Sequence, residues 1–164
     1  MEVELRPIEP ADGPALHTVV AHPDVWRWLV PADSTGPITA AECDAWARRD
    51  AAHWTAHGFG KWLVLERGAV VARGGLGVTF VEGRAEVEIG WAVRRDRWGR
   101  GLATFVAREA VAAGAALGLE SIVAFTRTDN RASLRVMEKA GLRVEREFEH
   151  AGWPHILCRA PRRA

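Results

Sequence analysis

The stretch VRRDRWGRGLA, Val93 to Ala103, packs four arginines and two glycines between an alternating apolar run and a long alanine-rich one. Small residues at such a place let consecutive backbone N–H groups turn inward at the start of a helix, forming a nest that holds anions through free donors and the helix dipole. Gly99 and Gly101 permit the required backbone angles, Ala103 keeps the approach open, and Arg97 and Arg100 stand within side-chain reach of a phosphate. Two stricter phosphate patterns fail. A Walker loop needs Lys and then Ser or Thr after its second glycine, where Leu102 and Ala103 follow Gly101, and the dinucleotide fingerprint needs a third glycine where Thr104 stands. Taken alone, the stretch is a phosphate cradle or a basic turn that caps a helix.

The elements around this loop follow from periodicity. VELRPI reads as a first strand, and Leu16, Val19 and Val20 fall at helical spacing before Pro23, with Val25, Trp26 and Leu29 opening a second short turn. Thr39 and Glu42 form a capping box for a third helix that runs to His57 and stops at Gly58. KWLVLERGAVVARGGLGVTF predicts a hairpin turning near Arg67 and Gly68. AEVEIGWAV predicts a half-buried strand, with Val87, Ile89, Trp91 and Val93 on its apolar face and Glu86, Glu88, Gly90 and Ala92 on the other. Leu102, Phe105, Val106, Ala110, Ala113 and Leu117 then mark a helix from Arg100 to Gly118. SIVAFTR is a strand, NRASLRVMEKAGL a helix ending before Gly141, and RVEREFEH with HILCRA a last hairpin turned at AGWP. An antiparallel section followed by a β-α-β crossover predicts a mixed α/β (α+β) fold, one sheet with helices on both faces.

Composition narrows the partners. The 164 residues are 48% hydrophobic and 26% charged, which predicts a single globular domain, residues 1–164, with a real core. Twenty-two basic against 21 acidic residues leave no overall polyanion surface, so nucleic acid is not an expected partner. No apolar run is long enough to span a membrane, the N-terminus does not read as a secretory signal, and Cys43 and Cys158 make neither a disulfide framework nor a zinc site. A cytoplasmic protein without metal is the expectation. Eight tryptophans and no tyrosine exclude any mechanism that needs a tyrosine.

Three segments in order carry a family resemblance. LRPIEPADGPALHTVVAHPDVWRWL, AEVEIGWAVRRDRWGRGLA and TRTDNRASLRVMEKAGL together resemble the GNAT acetyltransferase superfamily, and within it the RimJ/RimL-like branch, over nearly the whole chain. The resemblance implies a GNAT fold, a mostly antiparallel, splayed sheet of about seven strands, and acetyl-CoA as acyl donor. Its pyrophosphate pattern falls on Trp98, Gly101 and Ala103, with Trp98 where the superfamily carries Gln or Arg, so the backbone donors of Gly99, Arg100, Gly101, Leu102, Ala103 and Thr104 are expected to hold the phosphates. Backbone groups near Trp91 and Val93 are expected to meet the pantetheine arm.

The implied activity is N-acetylation of a primary amine, a protein N-terminus or a small molecule, by direct attack in a ternary complex. Many GNAT enzymes protonate the leaving thiolate with a tyrosine at the place of Met137, a route closed here. The branch instead spaces a serine three residues after an asparagine. Asn130 and Ser133 match this, Asn130 for the pantetheine arm and Ser133 for the sulfur, although an N-cap and a solvated first-turn residue explain the same letters. Glu88, ahead of Glu86, is the candidate base, against the plainer reading of a solvated strand face. His53, His57, His150 and His155 are reserves, and Trp26, Trp28 and Trp91 lie nearest the expected acceptor cleft. The competing expectation is a GNAT-fold CoA-binding or regulatory module without catalysis, and an exposed final strand suggests a homodimer.

Overall fold

The computed structural model describes residues 1–162. Its elements are β1 (Val3–Pro7), α1 (Gly13–Val20), α2 (Pro23–Trp26), α3 (Ala40–His57), β2 (Lys61–Glu66), β3 (Ala69–Val81), β4 (Arg84–Val93), a 3-10 turn (Arg95–Arg97), α4 (Leu102–Ala116), β5 (Val123–Arg127), α5 (Arg131–Lys139), β6 (Arg143–His150) and β7 (Trp153–Arg159). This is the order read from periodicity. The capping box forms as expected, Thr39 Oγ1 accepting from the Glu42 N–H at 3.2 Å while a Glu42 carboxylate oxygen accepts from the Thr39 N–H at 2.7 Å.

Three hairpins share one turn chemistry. Arg67 with Gly68, Glu82 with Gly83, and Ala151 with Gly152 each pair two residues at positive φ, the type I′ arrangement whose twist matches that of the flanking strands. The last strand begins at Trp153, ahead of the expected His155, because this turn needs only Ala151 and Gly152 and leaves Trp153 free to pair with His150.

The sheet runs β1-β2-β3-β4-β5-β7-β6, antiparallel throughout except for β4 and β5. Those two touch as parallel strands at one register position, Glu88 opposite Val123. Beyond Glu88 they part, and the sheet opens into a V. The expected splay therefore sits at the end of the strand that feeds the arginine-rich loop.

Both faces of the sheet are covered. On one, Leu16, Val19, Val25, Cys43 and Ala47 of the first three helices pack on Leu63 and Ala92. On the other, Ala110 of α4 and Met137 of α5 pack on Leu76 and Ile89, while Leu102 and Val106 pack on Val93. Cys43 and Cys158 lie in the two opposite layers, buried and unpaired. No described helix is long and apolar enough to cross a membrane.

Two expectations about exposure change. The acid-bearing face of β4 is not a freely solvated surface: α1 packs along it, Ala92 is buried, and Glu86 and Glu88 are half-buried. The final strand is not an edge either: the α5 crossover carries the chain past one place to β6 at the edge, and the hairpin brings β7 back between β6 and β5. That edge carries Arg143, Glu145, Arg146 and Glu147, and such charges discourage pairing with another sheet.

Candidate active site

A cleft of about 870 Å³ starts at the arginine-rich loop, follows the V between β4 and β5, and ends beneath the segment that links α2 to α3. The loop end is built from backbone. Gly99 and Gly101 adopt φ of 77° and 78°, which turns the chain so that α4 begins with no side-chain cap on Gly101. Within the described residues, the six consecutive N–H groups from Gly99 to Thr104 make no hydrogen bond, and the α4 ladder starts with Phe105 N donating to Gly101 O at 2.9 Å. Six unfilled donors at a helix N-terminus form an anion cradle. A Cβ added at Gly99 or Gly101 would meet no atom within 4 Å, so the space in front of the loop is open.

Trp98 donates its indole Nε1–H to the Val93 carbonyl at 2.8 Å and lies under the Arg95 guanidinium. It ties the loop to the end of β4 and contributes no charge. Arg94 N donates to Val71 O on β3, so by strand alternation the N–H and C=O groups of Trp91 and Val93 face the gap. Of the backbone groups expected to meet a pantetheine arm, the Val93 carbonyl is already taken by Trp98, which leaves the Val93 N–H and both groups of Trp91. Arg97 lines the cleft with its Nε buried and without a hydrogen bond, at 3.8 Å from Glu66 and 3.9 Å from Asp96, a cation beside the cradle. Arg100 differs from the other loop residues: its side chain is exposed, 3.9 Å from Glu66, and does not line the cleft.

Asn130 and Ser133 stand on the opposite wall. Asn130 caps α5 through Oδ1, which accepts from the Ser133 N–H at 3.2 Å, and it lies buried in the cleft wall with Nδ2 free of hydrogen bonds. Capping and ligand binding are thus compatible, one amide end serving each. Ser133 also lines the cleft, and its hydroxyl has no partner among the described residues. Met137, at the place of the missing tyrosine, lies within the same wall.

Glu88 sits at the floor, where β4 leaves β5. The two acids of β4 part ways there. Glu86 is bound in an ion pair with Arg159 at 3.1 Å and accepts from Ser121, so it is committed to structure. Glu88 makes no hydrogen bond or ion pair among the described residues and lines the cleft. Though solvent still reaches part of it, its surroundings are enclosed enough that burial pushes its carboxyl up from the ordinary carboxylate range, with Lys61 and Arg73 pulling the other way.

Three neighbours on the same face complete the floor, and sequence reasoning missed all of them. Arg73 of β3 donates from Nη2 to Asp50 Oδ2 of α3 at 2.7 Å, both residues being buried. Burial works to raise the Asp50 carboxyl, but Arg73, then Lys61, outweigh it and hold the group below its usual range. Lys61 is drawn down to about 8 by Arg73 and by burial, against the opposing pull of Glu88 and Asp50. Asp50→Ala would leave a buried guanidinium without its partner. A loss of about 3–5 kcal/mol in urea unfolding is expected, most of it recovered in the double variant Asp50→Leu/Arg73→Met.

The reserve histidines divide. His53 has both ring nitrogens engaged, Nδ1 with the Phe59 carbonyl at 2.9 Å and Nε2 accepting from the Val78 N–H at 3.0 Å, so it pins α3 to the strands. His150 and His155 line the far end of the cleft with Phe125, Trp28 and Trp153, and burial lowers both below the usual imidazole value. Of the three tryptophans expected near the acceptor, Trp28 and Trp91 line the cleft and Trp26 packs against the α1 and α3 core.

Comparison with known proteins is decisive at this point. Residues 2–143 match the family model described as an Acetyltransferase (GNAT) domain. The chain belongs to this family. The fold of the GNAT domain agrees with solved structures: a GNAT-family acetyltransferase from Bacillus anthracis (TM-score 0.76, 23% identity, 97% of this chain and 94% of that one) and an acetyltransferase from Agrobacterium tumefaciens strain C58 (0.76, 24%, 98% and 91%). AAC(6')-Ib in complex with ribostamycin and coenzyme A is also similar (0.78, 15%, 98% and 93%). At these identities the likeness speaks for the fold.

Proposed function

We propose that this GNAT domain, spanning the chain as one unit, transfers the acetyl group of acetyl-CoA to a primary amine by direct attack in a ternary complex. One observation carries the reading: the residues bearing five of the unfilled loop N–H groups, Gly99 and Gly101 to Thr104, and the unpaired carboxylate of Glu88 line the same cleft, along the V where the sheet parts. Structures of similar fold have been solved with acetyl-CoA or coenzyme A bound, which supports acetyl-CoA as the donor.

Acetyl-CoA supplies the acetyl group as a thioester, whose C–S bond breaks as the C–N bond to the amine forms. The loop N–H groups from Gly99 to Thr104 hold the pyrophosphate, assisted by Arg97. Trp91, Val93 and the free Nδ2 of Asn130 hold the pantetheine arm. Glu88 takes the proton that the amine must lose, a task suited to a carboxyl whose raised affinity for protons brings it nearer to that of an amine. The Ser133 hydroxyl donates to the sulfur as it leaves. The spacing of Asn130 and Ser133 supports the RimJ/RimL-like branch, and two unpaired buried cysteines accord with a reducing, cytoplasmic setting.

Thiol release measured over a panel of amines, with mass spectrometry of the products, tests the reading. N-acetylated product equal to the thiol released is expected. Ser133→Ala should lower kcat by about 100-fold, the low end of what positioned proton transfer contributes, while acetyl-CoA affinity changes little. An unchanged kcat would remove Ser133 from the mechanism.

A further inference from the structure

Lys61 is one of two lysines among the chain's 22 basic residues, and its placement is unusual. Its backbone carbonyl is fixed by two donors, Trp54 Nε1 at 2.7 Å and the Ile8 N–H at 3.2 Å. From there the side chain crosses β3 towards β4 and passes over Gly77 and Gly90 at contact distance. Lys61 Cε lies 3.5 Å from where a Gly77 Cβ would stand, and Nζ lies 3.6 Å from where a Gly90 Cβ would stand. Neither glycine has the positive φ that would demand glycine for the backbone's sake. The stem lies against both positions and brings the ammonium to the floor of the cleft, which Lys61 and Gly90 line together. A compact ammonium on a thin stem suits this path, whereas a planar guanidinium is bulkier.

The ammonium has no hydrogen bond or ion pair among the described residues, and neither has the Glu88 carboxylate. The two are electrostatically coupled, yet no direct pair within 4.0 Å joins them. The other charges of the floor, Arg73 and Asp50, satisfy each other. The floor is therefore neutral overall and offers one free cation beside one free anion. Glu88 is also the only carboxylate lining the cleft among the described residues, while Arg27, Lys61, Arg73, Arg97, Arg131 and Lys139 all line it. A polycationic acceptor would meet one acid and several bases there, and a simple monoamine would leave Lys61 unanswered.

We infer that Lys61 and Glu88 form a zwitterion-reading subsite, so that the acceptor is an α-amino acid: its amine meets Glu88 and its carboxylate accepts from Lys61 Nζ. This rests on the N-acetyltransferase reading above and narrows its acceptor. Trp28, Phe125, Trp153, His150 and His155 line the same cleft, and these rings, with Arg127 stacked on Trp28 and Trp153, suit an aromatic side chain. Ala32 N donates to Ala151 O at 2.9 Å and ties the α2–α3 segment to the β6–β7 turn, whose Ala151 lines the cleft.

The test compares L-phenylalanine and L-tryptophan with their carboxamides, by calorimetric binding to the protein saturated with coenzyme A and by kcat/KM with acetyl-CoA. The carboxamide keeps the ring, removes the negative charge and stands in for a peptide N-terminus; because its amine is also less basic, the pair is compared across a pH series at matched amine protonation. The free acids should bind about 10- to 100-fold more tightly, as for a buried hydrogen bond between charged groups. Lys61→Met should collapse the ratio of acid to carboxamide towards one, and Lys61→Arg should retain part of it. Equal binding of acid and carboxamide by the unmodified protein, or a ratio that survives in Lys61→Met, would overturn the subsite. Acid-selective binding with no thiol release from any amine would uphold the subsite and defeat the acetyltransferase reading instead.

Discussion

Gly101→Val is expected to abolish measurable acetyl-CoA binding while leaving the protein folded. Gly101 holds φ of 78° immediately before α4, and a residue with a Cβ is strained there by about 1–2 kcal/mol. Nothing in the protein obstructs the new side chain, because no atom lies within 4 Å of the added Cβ. The space it fills is the mouth of the anion cradle. Relief of the strain would also rotate the N–H groups of Leu102, Ala103 and Thr104 away from a common target. Each lost bond to a charged phosphate is worth about 1.5–3 kcal/mol, so an affinity loss of about 100-fold or more follows when two are lost. Arg94→Ala is the contrast. Arg94 is engaged with Asp96 at 2.6 Å and with the Val70 carbonyl at 3.0 Å, so it stitches the loop to β3 and should barely alter acetyl-CoA affinity. Titration calorimetry on both variants, with circular dichroism to verify folding, decides the matter.

The second large effect concerns Glu88. Glu88→Gln keeps the shape of the floor and removes the proton acceptor, so kcat should fall by about 100-fold or more. The pH profile carries a sharper signature. A carboxyl raised by burial is protonated, and idle as a base, to higher pH than an ordinary one; the rate should therefore climb as pH rises through the raised value and level off above it. In Glu88→Gln that limb should vanish. A variant with full activity, or with the same acid limb, would assign proton removal to another group.

The loop was legible in the sequence because its requirements are local. Two glycines, a small residue and a following helix occupy consecutive positions, and the failure of Trp98 to match the family's charged residue has a local resolution in its bond to Val93. The β4 pattern was legible too, since alternation separates Ile89 and Trp91 from Glu88 and Gly90. What alternation cannot supply is which side is wet. The acids lie on a face that periodicity reads as solvated, and only the packing of α1 and the pairing of Glu86 with Arg159 withdraw it from open water. Asp50, Lys61, Arg73 and Glu88 come from α3, β2, β3 and β4, so their meeting is a property of sheet register and helix packing. A faint signal did exist: a solitary lysine at the head of an apolar strand, in a chain that otherwise uses arginine almost throughout. The order of the last strands was hidden for a similar reason. The β6 and β7 patterns predict a hairpin but say nothing of which member pairs with β5.

The central claim is that the loop cradle and Glu88 act on one acyl transfer within one cleft. Single-turnover mixing, with protein in excess over acetyl-CoA and an amine added last, tests it most directly when free thiol and product mass are followed together. The account predicts that thiol and N-acetylated amine appear at the same rate and in equal amounts, only after the amine is added, and far more slowly in Glu88→Gln. Tight binding of acetyl-CoA with no amine-dependent release of thiol would contradict it.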